Sequence, residues 1–121
     1  MLLIVVIIIG ILATLGFTQY TKVIEKGRTA EAKALLGQMR TAQEAYLQEN
    51  GSRTATIGNL SVDVPTACAT THYFSYATTD ALGTATRCLT TETGKTPGVA
   101  TAYTITLTYA TGVWGGTAGY Y

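Results

Sequence analysis

Hydrophobic and polar positions change rhythm twice along this chain. Residues 1–17, MLLIVVIIIGILATLGF, are apolar with no periodicity. As a helix this run spans about 26 Å, and through Tyr20 about 30 Å, the thickness of a hydrocarbon core. From Thr18 to Asn50 the chain is rich in Ala, Leu, Glu, Lys and Gln, which are good helix formers. Here Leu35, Met39, Ala42 and Tyr46 recur at three- and four-residue steps, widened by Leu36 and Leu47, and predict an amphipathic stripe. Asn50-Gly51 is a stop signal, because glycine tolerates the left-handed cap. Beyond it the period falls to two. His72–Ala77, Thr84–Thr90 and Thr101–Tyr109 predict strands, with a turn at Ala81-Leu82-Gly83 and a return through Thr111-Gly112 into Val113-Trp114. Tyr103, Ile105 and Leu107 share one strand face, which is expected to pack on Leu35, Leu36, Met39 and Tyr46. The pattern predicts an α+β fold: a helix over about residues 1–50 on an antiparallel sheet of three to four strands.

Nothing before Asn50 clearly breaks the helix, since no proline precedes Pro65. A 50-residue helix is about 75 Å long, against a radius of gyration of about 14 Å for a globule of this chain length. Its first part must therefore project. Gly10 and Gly16, with Thr18 beyond them, are where bending or local melting is expected. Close helix–helix approach is the other reading of the two glycines.

Charge sharpens these boundaries. Residues 1–21 carry none, residues 22–49 carry nine of the fifteen charges, and the remainder holds 19 threonines. We read 1–21 as an apolar helix for membrane residence and filament packing, 22–50 as an amphipathic helix, and 51–121 as a Thr-rich β head. Arg40 and Glu44 are spaced for an i,i+4 pair. The net charge of +1 provides no basic face for specific nucleic-acid binding. For the apolar run, a signal peptide fits poorly: no Lys or Arg precedes Lys22, and Ala13-Thr14-Leu15-Gly16 is a poor cleavage site. A plain anchor remains, as does a segment that leaves the membrane to pack against copies of itself. Lys22, Lys26 and Arg28 follow the run and alone would place the C-terminal part inside; a basic leader upstream reverses that.

Cys68 and Cys88 both lie in the head. With His72 the single histidine, zinc has too few ligands. A disulfide is the better reading and implies an oxidising compartment; two buried thiols are the alternative. No nucleophile–base pair is present, so no enzyme, catalytic residue, metal or other cofactor is expected.

The order Ile4-Val5-Val6-Ile7-Ile8-Ile9-Gly10-Ile11-Leu12-Ala13, Gln19-Tyr20, Glu25-Lys26-Gly27-Arg28, Ala30-Glu31-Ala32, Leu35-Leu36 and Arg40–Tyr46 resembles the N-terminal helix of type IV pilins and type II secretion pseudopilins. The likeness covers about 40% of the chain. The rest matches only in style.

The resemblance implies a basic leader removed by a prepilin peptidase, a methylated N-terminus, residence in the inner membrane and recruitment by pilus machinery into a surface filament. The filament core would contain Leu2, Leu3, Ile4, Val5, Val6, Ile7, Ile8, Ile9, Ile11, Leu12, Leu15 and Phe17. Aligned on Gly10 and Gln19-Tyr20, the family's Thr-Leu-x-Glu run falls before Met1, and its glutamate is expected upstream of this numbering. Thr18 stands where the family often has proline. A Cys68–Cys88 bridge would staple the first strands and leave the C-terminus without a covalent pin.

The expected function is a structural subunit, a major pilin polymerising with itself for adhesion, motility or DNA uptake. A pseudopilin or a single-pass surface protein is the alternative. Beyond Asp80 only Glu92 is acidic, too few carboxylates for the calcium site of major pseudopilins.

Overall fold

The computed structural model describes the backbone of residues 1–121 and every side chain except those of residues 18 and 21. The fold is α+β, with one long, bent N-terminal helix and a four-stranded antiparallel sheet. Helix α1 runs over Leu2–Asn50. It closes on Gly51 at φ 80°, whose N–H bonds to the Leu47 carbonyl at 2.8 Å. That is the left-handed stop which Asn50-Gly51 predicts.

The strands β1 (Phe74–Thr78), β2 (Leu82–Arg87), β3 (Thr104–Thr108) and β4 (Trp114–Gly116) pair in chain order as a meander. Ser75, Thr86 and Thr104 form one cross-strand row; Ala77, Thr84, Thr106 and Gly115 form the next. These positions face away from α1. Phe74, Tyr76, Gly83, Ala85, Arg87, Ile105 and Leu107 are buried on the other face.

The first hairpin differs from its sequence-based expectation. The turn falls on Thr79–Ala81, because the Thr79 hydroxyl accepts the N–H groups of Ala81 and Leu82 at 3.2 and 3.1 Å. Leu82 and Gly83 belong to the strand. Gly83 is there for space: a Cβ would stand 2.7 Å from the Tyr109 hydroxyl and 3.1 Å from Leu36 Cδ2.

The buried helix face includes the expected Leu36 and Met39 but is shifted from the rest of the expected stripe. The buried positions are Thr29, Ala32, Leu36, Met39 and Gln43. Leu36 and Met39 join Tyr103, Ile105 and Leu107 in the core, Leu35 packs at its margin, and Tyr46 is half-buried outside it. Gln43 can occupy the buried face because it is fully bonded there. Its amide donates to the Thr54 carbonyl at 2.7 Å and the Thr78 hydroxyl at 3.1 Å, and its oxygen accepts the Thr54 N–H at 3.1 Å. Arg40 and Glu44 do not pair. Arg40 Nε donates to the Tyr109 carbonyl at 2.9 Å, and Glu44 takes Arg53 at 2.9 Å.

The C-terminal segment is tied without a covalent bond. Tyr120 stacks on Tyr103 with centroids 3.8 Å apart, and the Thr117 N–H reaches the Thr104 carbonyl at 2.8 Å.

Candidate functional site

Three features follow from how the chain is divided between helix and head. The first is the projecting helix. Leu2, Leu3, Ile4, Val5, Val6, Ile7, Ile8, Ile9, Ile11, Leu12, Leu15 and Phe17 are each 50–81% exposed. Monomeric soluble proteins rarely show a contiguous apolar surface of this extent. The segment is long and apolar enough to cross a membrane. Gly10 and Gly16 lie within an unbroken helix, with open space where a side chain would be. The Thr18 side chain lies outside the described residues.

The second feature is the neck, where the helix enters the head. Arg87 is fully buried, pointing from β2 toward α1. Its guanidinium pairs with the Glu25 carboxylate and donates to the carbonyls of Tyr73 at 3.2 Å, Cys88 at 3.3 Å and Pro97 at 2.7 Å. Glu25 also accepts from the Tyr103 hydroxyl at 2.5 Å and from Arg28 at 2.8 Å. Burial by itself would raise the Glu25 carboxyl, but the hydrogen bonds from Arg87, Tyr103 and Arg28 outweigh it and hold the group below the usual carboxylate value. Burial, reinforced by the bond to Glu25, pushes the Tyr103 phenol up. The adjoining Cys88 is bridged to Cys68, across a separation of 20 residues. Glu92 lies near the two sulfurs, but both are spent in the disulfide, so the group offers a metal only one carboxylate. Glu92 instead accepts the Leu89 N–H at 2.7 Å.

The neck was not foreseen from the sequence. Its one signal is that Arg87 alternates with Gly83 and Ala85 on the inward face of a strand.

The third feature is on the sides of the head. A groove of about 700 Å3 lies between the back of α1 (Ala34, Gly37, Thr41, Ala45) and the loop at Ser61–Asp63. At the β4 edge of the sheet, the β3–β4 turn raises Val113 into solvent at 60% exposure.

The described chain thus consists of an exposed apolar stalk, a pinned joint and a small head. No curated protein matches the chain. The model of the family described as type IV pilin-like G and H matches residues 29–114. It begins at Thr29 in α1 and ends at Trp114 in β4, so it takes in the second half of the helix together with most of the head, where the resemblance was one of style alone. With well over half its length matched, the chain belongs to the type IV pilin-like family.

Proposed function

We propose that this protein is the major subunit of a surface filament, held in the inner membrane by residues 1–21 and then withdrawn into a helical polymer of itself. The observation that carries this is the exposed apolar stalk on a small, well-packed head. Burial at about 25 cal/mol per Å2 favours either lipid or neighbouring stalks over water. A contact that repeats without closing turns neighbouring stalks into an open fibre. Within the fibre, Gly10 and Gly16 are the points where the helix yields to its neighbours. The oxidised Cys68–Cys88 pair supports an extracytoplasmic head. The role is structural, with no catalytic step. Processing by a prepilin peptidase, handling by pilus machinery, and use in adhesion, motility or DNA uptake belong to the same reading.

Cryo-electron microscopy of the sheared surface fraction tests it. Long fibres whose density fits this sequence, with stalks packed along the axis, are expected. Retention of the protein in the membrane fraction, with no fibre containing it, would overturn the proposal in favour of a pseudopilin or a simple anchor.

A further inference from the structure

The head carries two complementary features, a groove and a knob. On the β1 side, the loop of the groove precedes Pro65, whose carbonyl takes the Tyr76 N–H of that edge strand at 2.9 Å. The groove floor is small: Ala34, Gly37, Thr41 and Ala45, with Val62 on the wall and Asp63 on the rim. Asp63 is exposed and in no ion pair among the described residues.

On the β4 side stands Val113. It and Tyr121 are the large apolar side chains exposed outside α1 among the described residues. Its turn is braced. The Thr108 N–H bonds the Val113 carbonyl at 3.0 Å, the Gly112 N–H bonds the Thr108 carbonyl at 2.8 Å, and Arg40 holds the Tyr109 carbonyl. Gly112 sits at φ 71° against the Arg40 guanidinium, where a Cβ would be 2.6 Å from a terminal nitrogen. Lys33 flanks the turn, its ammonium 5.9 Å from the Trp114 ring centroid. Neither Lys33 nor Arg40 is in an ion pair among the described residues.

The geometry points to a side-by-side contact between two copies of this chain, in which Val113 of one head seats in the small-residue groove of the next and Lys33 and Arg40 meet Asp63 across the joint. This rests on the filament reading and says which head surfaces meet. Three observations select a second copy as the occupant. The groove opens on the solvent face of α1, and the Val113 of a head does not line that head's own groove, so the contact joins two unlike surfaces and is heterologous, the kind that propagates. The two sides carry opposite unpaired charge. They also share a height: the groove follows α1 from Ala34 to Ala45, about 16 Å at 1.5 Å per residue, and Arg40, which braces the turn, lies between those limits.

Zero-length carbodiimide coupling of wild-type fibres tests the contact without a substitution. In fibres grown from mixed isotope-labelled and unlabelled subunits, an Asp63–Lys33 cross-linked peptide joining a labelled to an unlabelled copy is expected, and none from detergent-solubilised monomers mixed in the same way. Fibres without that peptide would overturn the contact while leaving the filament reading intact. If the wild-type chain makes no fibre at all, both fall. In parallel, Val113→Asp should lose sheared fibre while its head keeps wild-type circular dichroism, and Val113→Ile should retain fibre. Wild-type fibre yield from Val113→Asp would also overturn the contact.

Discussion

At the residue scale, the ion pair at the neck is the most consequential contact. Breaking a buried pair by removing one partner costs about 3–5 kcal/mol, because the other charge stays behind. Arg87→Ala is therefore expected to destabilise the head by that amount in chemical denaturation, and a loss below about 1 kcal/mol would place the pair among exposed ones. The acid response follows from Glu25. Its folded value is depressed, so its contribution is complete above its ordinary value of 4.5 and is lost as pH falls through the folded value. The stability gap between wild type and Glu25→Gln should thus narrow as pH drops below that point. A gap that stays constant across the acid range would show that another carboxylate governs acid unfolding. Tyr76 offers the opposite case. Its hydroxyl is buried with no hydrogen-bond partner among the described residues, and burial, with the Glu31 charge, pushes its phenol up. Deleting an unsatisfied buried group relieves about 1–3 kcal/mol of desolvation. Tyr76→Phe should leave the melting temperature unchanged or raise it, and a clear fall would reveal a partner for that hydroxyl.

At the element scale, helix and sheet touch most closely at Gly83. Adding a methyl there overpacks the Tyr109 and Leu36 contact, and overpacking costs about 1–3 kcal/mol. Gly27 has open space around it on the exposed side of α1, so Gly27→Ala should instead stabilise by about 0.5–1 kcal/mol. Opposite signs in the two melts are expected; equal signs would mean that backbone propensity, not packing, decides both. These elements also show what the sequence could and could not disclose. Apolar runs, the Gly51 stop and strand alternation over residues 104–108 were legible because each depends on neighbours in the chain. The buried helix face was misplaced toward Tyr46 because hydrophobicity cannot report that Gln43 is satisfied by Thr54 and Thr78. Arg87 went unnoticed for the same reason: its partner Glu25 is 62 positions away. Thr79 closes the first hairpin with its side chain, whereas Gly83, the residue that looked like the turn, serves packing.

At the scale of the whole molecule, a head of modest core carries a stalk it cannot cover. The disulfide offsets part of that marginality, since closing a loop of this size contributes about 3 kcal/mol in the chain-entropy model. Reduction should lower the head's unfolding midpoint accordingly, read by denaturant titration with and without reductant; an unchanged midpoint would leave the bridge as a marker of compartment alone. The bridge also matters through its place in the chain. Cys88 follows Arg87, so the ion pair to Glu25 and the covalent link to Cys68 act in series. In the proposed fibre, traction on the stalk would enter the head at Glu25, pass to β2, and be handed by sulfur to the loop before β1. Tension is thus shared between two segments of the head instead of peeling one strand from its edge. On that reading the joint between stalk and head acts as a hinge pin, and a reduced fibre would be one whose core holds under strain while its heads give way.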